Sequence, residues 1–190
     1  MNTLKHAIIV TVLSAAAVLP AWGGGAPVSP HETISFTNDG NTIKITYGRP
    51  FSKKPGTDTV RKIWGGLVPW DQAWRLGADQ ATTLVIEKAI VLGGTNVPAG
   101  TYTLYMVPSE KGVSKLAISK TTGQWGIPVD EKNDLARVDL KKATLETQVD
   151  QLTISIVPQV QRPEVIGPVP YLLHIRWEKT EYHVEFHNAP

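Results

Sequence analysis

The sequence has 190 residues, of which 42% are hydrophobic, and this is enough to bury the core of one domain. Lysine and arginine total 19 against 17 acidic residues and form no basic block, so we expect neither a nucleic-acid partner nor attraction to a charged membrane surface. The absence of cysteine excludes a disulfide framework, a thiolate metal site, a cysteine nucleophile and a lipid anchor on cysteine.

Residues 1–23 have the organisation of a secretory signal peptide. Lys5 precedes an apolar run over residues 7–19, and the small residues Ala21 and Gly23 follow it. The run is shorter than the roughly 20 residues that span a bilayer, and no second run of that length follows. We therefore expect a cleaved signal, a single domain over residues 24–190 without a membrane span, and a periplasmic or secreted location.

The expected domain begins with residues that alternate between apolar and polar, the pattern of a β-strand. Ile34 and Phe36 alternate with polar residues on one side of Asp39-Gly40, and Ile43 and Ile45 alternate on the other. Asp-Gly favours a two-residue turn in which both residues have positive φ. The resulting hairpin would place Phe36 opposite Ile43 and Ile34 opposite Ile45.

Short segments rich in β-branched and aromatic residues predict further strands. They cover residues 82–87, 90–92, 101–107, 115–119, 136–140 and 151–157. A second hairpin is expected near the C-terminus, with a turn at Lys179-Thr180 that pairs Trp177 with Tyr182. No sustained helical period is present, so we predict an all-β fold, an antiparallel β-sandwich or barrel-like domain with one long irregular insertion.

Two segments interrupt the strand pattern. Residues 48–80 form the long insertion and contain three of the six tryptophans. A loop of this length within a compact domain is usually functional, and its tryptophan content argues against disorder. The second segment, residues 158–170, is proline-rich, and we interpret it as an extended crossover loop.

Several motifs resemble a family of exported bacterial proteins known as domain of unknown function 2911. The likeness covers roughly residues 34–184 and is carried by Tyr-Gly-Arg-Pro at 47–50, Ile-Trp-Gly-Gly-Leu-Val-Pro-Trp at 63–70, Trp-Arg-Leu-Gly-Ala-Asp at 74–79, Pro-Ala-Gly-Thr-Tyr at 98–102, Gln-Trp-Gly at 124–126 and Trp-Glu-Lys-Thr at 177–180. The resemblance implies export and no established activity. Members commonly have Glu where this chain has Gln80, and an amide could not act as a general acid or base.

The residues themselves suggest a site in the 48–80 segment. Tryptophan faces stack on sugar rings, and arginine side chains can clamp a carboxylate or phosphate. The first hypothesis is therefore a binding domain for a small polar ligand, a sugar or an anion, without a cofactor. Its candidate residues are Arg49, Trp64, Trp70, Asp71, Trp74, Arg75 and Asp79.

Other interpretations remain open at this stage. The tryptophans could cap one end of the sandwich while Arg75 pairs with Asp71 or Asp79, which would make the segment structural or a protein-interaction module of the envelope. Asp71 and Asp79 could also divide acid and base roles in a hydrolase. The sequence has no Gly-x-Ser-x-Gly or His-Glu-x-x-His motif, so the commoner hydrolase signatures are absent, and the sequence favours binding over catalysis without deciding between them.

The last predicted hairpin suggests a weak metal candidate. In the expected register, His174, His183 and Glu185 would converge on its polar face, and imidazole and carboxylate groups are zinc ligands. Arg176 would then lie opposite His183 and repel a cation. We therefore expect a polar strand surface there and no bound metal.

Overall fold

The computed structural model describes residues 29–159 and 170–190, which form ten antiparallel strands and one short 3₁₀ turn. The predicted signal peptide and most of the proline-rich segment lie outside these residues. The strands are β1 (His31–Asn38), β2 (Asn41–Gly48), β3 (Thr82–Ile86), β4 (Ile90–Leu92), β5 (Thr95–Val97), β6 (Gly100–Val107), β7 (Lys115–Ser119), β8 (Asp134–Asp139), β9 (Lys141–Pro158) and β10 (Tyr171–Asn188).

The strands form two sheets, as the all-β prediction required. One sheet has six strands in the order β1-β2-β3-β6-β7-β8, and the other has four in the order β5-β4-β10-β9. All strand pairs are antiparallel, and neither sheet closes on itself, so the fold is a β-sandwich and the barrel alternative is set aside. No helix in the described part of the chain is long and apolar enough to cross a membrane.

The first hairpin has the predicted register. Phe36 is paired with Ile43 and Ile34 with Ile45. Asp39 and Gly40 have φ values of 49° and 68°, the left-handed conformation that a two-residue hairpin turn needs. Local turn chemistry and alternating hydrophobicity therefore determine this part of the sheet.

The core lies between the facing sides of the two sheets. Alternate residues of each strand enter it, such as Ile43 and Ile45 from β2 and Ile175 from β10, all at most 2% exposed. Aromatic rings close one part of it, where Phe36 packs against Tyr171 and Phe186 with ring centroids 4.7 and 6.2 Å apart. Burial of these apolar faces is the main source of stability.

Strand β10 pairs with β9 on both sides of Glu178, with register shifts around that residue, and its two halves lie side by side. The rings of Tyr171 and Phe186 are 5.6 Å apart, although fifteen residues of straight strand would span about 50 Å. His174 and His183, which face the opposite side, are 5.7 Å apart. Contacts on both faces mean that the chain reverses near Glu178, which has a φ of 54°.

The reversal differs in position from the predicted one. The contacting pairs are symmetric about the Glu178-Lys179 bond, so the predicted Lys179-Thr180 turn is wrong by one residue. The predicted turn had placed Trp177 directly opposite Tyr182. Both residues are buried, but they are not direct partners across the turn. Strand β9 follows the outside of the reversal and therefore needs more residues than β10 to pass it. Thr153 pairs with Arg176 before the reversal, and Thr144 pairs with Thr180 after it.

Candidate functional site

Residues 49–81 connect β2 to β3 without forming a named strand and contact both sheets. Trp74 makes an isolated bridge with Met106 in the six-stranded sheet, and Phe51 makes one with Gln151 in β9 of the other. The backbone amide of Trp74 donates to the carbonyl of Met106 at 2.7 Å. The long insertion is thus fixed to the sandwich at both sheets.

A tryptophan cluster forms the centre of this segment. Trp64 stacks on Trp70 with ring centroids 6.2 Å apart, and its edge meets Trp74 at 5.9 Å. Trp74 in turn stacks on Trp177 of β10, at 6.0 Å and 21° between ring planes. Trp64 also packs against Tyr182 at 5.2 Å. The cluster joins the insertion to both halves of β10.

A cavity of about 640 Å³ opens beside this cluster. Apolar side chains from three parts of the chain line it, together with a few charged ones. The lining consists of Ser29, Pro50, Phe51, Pro55, Gly56, Arg61, Leu67, Trp74, Arg75, Gly77, Ala78, Asp79, Trp125, Ile127 and Trp177. Its volume is in the range of small-molecule binding sites.

Several cavity-lining residues expose apolar surface that a sandwich normally buries. Trp125 is 59% exposed, Phe51 and Leu67 are 45% exposed, and Ile127 is 41% exposed. Single exposed apolar residues are common, but four around one concave surface are typical of a binding site. The cavity therefore offers a ligand an apolar wall with an accessible indole ring.

Arg75 lies beside the exposed indole. Its Nη1 atom donates to the carbonyl oxygens of Asp79 and Trp125, at 2.5 and 3.2 Å, and its guanidinium carbon is 6.0 Å from the Trp125 ring centroid. Gly126 makes this approach possible, because its φ is +108° and a Cβ there would lie 2.9 Å from the Arg75 Cβ. The Nε and Nη2 atoms of Arg75 make no hydrogen bond within the described residues.

Buried polar atoms near the cavity lack partners. Trp177 is fully buried, and its Nε1 donates no hydrogen bond within residues 29–159 and 170–190. Trp64 Nε1 and Tyr182 Oη are likewise buried atoms for which no hydrogen-bond partner is found among these residues. A buried donor without a partner costs about 1–3 kcal/mol of stability.

The backbone of the segment is strained at three non-glycine residues. Asp71, Leu76 and Asp79 have φ values of 57°, 55° and 64°. Leu76 is fully buried, and a leucine rarely adopts this conformation, which costs about 1–3 kcal/mol. Such strain is concentrated at functional sites, and here the strained residues flank Trp74 and Arg75.

The cavity includes only some of the candidate ligand-binding residues. Trp74, Arg75 and Asp79 line it, whereas Trp64 and Trp70 support it from behind through their rings. Asp79 Oδ2 is 3.3 Å from His31 Nε2.

Arg49 and Asp71 have structural partners away from the lining. Arg49 pairs with Glu32 at 3.2 Å and donates to the carbonyl of Leu152. Asp71 Oδ1 accepts a hydrogen bond from Ser109 at 2.7 Å. The structure thus divides the predicted residues into a cavity group and a supporting group, and gives Asp71 and Asp79 different partners.

Sequence reasoning missed the second wall of the cavity. Trp125 and Ile127 come from the loop between β7 and η1 (Glu131–Asn133), and Phe51, Leu67 and Trp177 complete the apolar surface. The Gln124-Trp125-Gly126 motif was a usable signal, since a tryptophan between loop residues has no strand neighbour to pack on. Its proximity to Arg75 is a long-range contact that no local pattern reveals.

The metal-candidate residues form a cluster with a different carboxylate from the predicted one. Glu181 contacts both imidazoles, with Oε2 3.0 Å from His174 Nδ1 and Oε1 3.2 Å from His183 Nδ1. Glu185 instead pairs with Lys141 at 3.2 Å. The one-residue shift of the turn explains the exchange, because it places Arg176 opposite Glu181 and His174 opposite His183.

Burial and neighbouring charges shift the pKa values of this cluster in opposite directions. Burial lowers the pKa of His174 below its ordinary value, although the charge of Glu181 opposes the shift. Burial alone would raise the pKa of Glu181, but the hydrogen bond from Arg176 and the charges of His174 and Arg176 lower it overall. Burial therefore disfavours the charged form of His174, whereas Arg176 favours the charged form of Glu181.

Comparison with known proteins gives a family but no activity. The family model described as Protein of unknown function (DUF2911) matches residues 29–186. No curated protein and no solved structure matches the chain significantly.

Proposed function

The chain belongs to DUF2911, a family of proteins of unknown function, and we propose that it is a binding domain for a small polar ligand, a sugar or an anion, that acts outside the cytoplasm. The observation that carries this proposal is the cavity of about 640 Å³ at which Trp74, Arg75 and Trp125 meet. The proposed location rests on the signal-like residues 1–23.

The chemistry of the cavity supports a ligand with one apolar face and one polar edge. The accessible indole of Trp125 offers a flat surface on which a sugar ring can stack. The Nε and Nη2 atoms of Arg75, which have no partner in the part of the chain that the structure describes, can donate two parallel hydrogen bonds to a carboxylate or phosphate. Arg61 contributes charge, but its guanidinium already donates to the carbonyls of Ser52 and Phe51.

The hydrolase hypothesis gains no support from the geometry. Asp71 is absent from the cavity lining and accepts a hydrogen bond from Ser109, while Asp79 faces His31. Paired acid and base groups must reach the same substrate bond. We therefore base the proposal on binding alone.

A thermal-shift screen tests the proposal. The purified protein is heated with neutral sugars, acidic sugars, organic anions and phosphate esters, and a ligand present at about 100 times its Kd should stabilise it by about 2.7 kcal/mol. Trp125→Ala and Arg75→Gln should abolish the shift. Val113→Ala is the matched control, because Val113 is also exposed and apolar but does not line the cavity.

The variants also distinguish binding from a purely structural role. If the segment binds a ligand, Trp125→Ala should retain the melting temperature of the unliganded protein and lose only the shift. The proposal fails if no compound class produces a shift, or if the shift survives in both cavity variants.

A further inference from the structure

The polar face of β10 carries a second cluster, separate from the cavity. His174, Glu181 and His183 offer ligand atoms that all lie within 4.8 Å of one another. His174 and Glu181 are buried, at 6% and 7% exposure. The reversal at Glu178-Lys179 brings them together, since His174 lies on one half of the strand and the other two on its partner half.

One imidazole of the cluster has an unused nitrogen. His183 Nδ1 is shielded from solvent and lies 3.2 Å from Glu181 Oε1, yet no hydrogen-bond partner is found for it within the described residues. The geometry brings the two atoms close without aligning a hydrogen between them. In the tautomer with hydrogen on Nε2, this shielded nitrogen presents a lone pair, and a cation placed between it and the carboxylate would satisfy both groups.

The spacing of the atoms fits a metal ion. With bonds of about 2.0–2.1 Å, the ligands of tetrahedral zinc lie about 3.3 Å apart. Glu181 Oε2 lies 3.0 Å from His174 Nδ1 and Glu181 Oε1 lies 3.2 Å from His183 Nδ1, and the three residues offer ligand atoms that are all within 4.8 Å of one another. We propose that His174, Glu181 and His183 form a site for a divalent transition-metal ion, with zinc as the reference ion.

Arg176 is the cation that competes for this site. Its Nε donates to Glu181 Oε2 at 2.5 Å, and its Nη2 is 3.3 Å from His174 Nδ1. The side chain is 35% exposed, so the guanidinium can turn towards solvent when an ion binds. The metal-free cluster is therefore neutralised by Arg176, and removal of that charge should strengthen metal binding.

A bound ion would link the two halves of β10 across the reversal. Three protein ligands leave one tetrahedral position for water. Because unfolding separates the ligands, the ion would stabilise the fold by mass action. The site would thus secure the strand that also supplies Trp177 to the cavity on the opposite face.

Calorimetric titration of zinc into the EDTA-treated, untagged protein tests the proposal. We expect one equivalent to bind to the wild type. His183→Ala and His174→Gln should weaken binding by at least about tenfold, given that even indirect partners of metal ligands contribute about 10–100-fold. Arg176→Ala should bind about tenfold more tightly, because a neighbouring positive charge is removed.

Two further measurements separate coordination from a change in folding. His187→Ala is the matched control, since His187 is a histidine on the same strand but outside the cluster, and the zinc affinity of this variant should equal that of the wild type. Cobalt bound to the wild type should give a visible tetrahedral spectrum that His183→Ala loses while its circular dichroism is unchanged. The proposal is overturned if the wild type binds no zinc, or if His174→Gln and His183→Ala both bind it as tightly as the wild type.

Discussion

Trp74 and Trp177 stack face to face, with ring centroids 6.0 Å apart, and this contact joins the irregular insertion to the strand reversal in β10. Trp177 is fully buried and Trp74 is 7% exposed. Both rings also line the cavity. The stability of the sandwich and the shape of the candidate site therefore depend on the same pair of side chains.

The first prediction separates these two roles by comparing tryptophans. Trp74→Ala should lower the free energy of unfolding by about 3–5 kcal/mol, because it leaves a cavity among buried rings. Trp125→Ala removes the same atoms from an exposed position and should cost about 0.5 kcal/mol. Urea unfolding measures both values. Equal losses in the two variants would contradict the assignment of Trp74 to the core.

The second prediction concerns the close approach at Gly48. A Cβ at this position would lie 2.2 Å from the carbonyl oxygen of Ala78, and the Ala78 amide is held by the Gly48 carbonyl at 3.3 Å. Gly48→Ala should therefore displace the insertion and cost at least about 1–3 kcal/mol.

Gly112→Ala provides the control for that substitution. The nearest atom to a Cβ there is a side-chain atom, Ser109 Oγ, 3.2 Å away, and the φ of Gly112 lies outside the left-handed range. Its unfolding free energy should stay within about 0.5 kcal/mol of the wild type. A Gly48→Ala protein as stable as this control would show that the insertion is loosely attached at that end.

The fold was predictable where the determining signals were local. Asp39-Gly40 and the alternating residues around it define a hairpin without reference to the rest of the chain. The predicted strands missed β5, which has only three residues, and the first half of β9 (Lys141–Pro158), where most residues are exposed and polar. These segments are strands because a neighbouring strand supplies hydrogen bonds, which composition does not reveal.

The candidate site was predictable only in part for a similar reason. The concentration of tryptophan and arginine in residues 48–80 indicated the correct segment, and Trp74 and Arg75 do line the cavity. Trp125 lies fifty residues from Arg75 in sequence, and their contact depends on how the loop after β7 folds over the insertion. Arg49 has a carboxylate partner in Glu32 that no spacing rule would select.

The third prediction follows from the buried hydroxyl of Tyr47. It donates to Glu32 at 2.8 Å and accepts from the amide of Ile154 at 2.9 Å, and burial raises its pKa well above the ordinary value of 10.0. Tyr47→Phe leaves the buried amide of Ile154 without its partner, while Glu32 keeps Arg49, so near neutral pH the substitution should cost about 1–3 kcal/mol.

The difference in unfolding free energy between the wild type and Tyr47→Phe should shrink in alkaline solution. Above pH 10 tyrosine ionises in the unfolded chain while Tyr47 stays neutral in the folded one, so the wild type loses up to about 1.4 kcal/mol per pH unit. The phenylalanine variant lacks this loss, whereas other tyrosines act equally in both proteins. Urea unfolding at pH 8 to 11 measures the difference, and a constant difference over that range would refute the assignment.

The last prediction tests the position of the reversal in β10. Glu178 has a φ of 54°, a conformation that glycine adopts without the steric cost of a Cβ. Glu178→Gly should therefore raise the free energy of unfolding by up to about 1 kcal/mol, despite the greater flexibility of the unfolded chain. Lys179→Gly relieves no steric strain, because the φ of Lys179 is not positive. This substitution should therefore lower the free energy of unfolding by about 0.5–1 kcal/mol. Thermal unfolding of the two variants distinguishes the turns, because a reversal at Lys179-Thr180 would make Lys179→Gly the stabilising substitution.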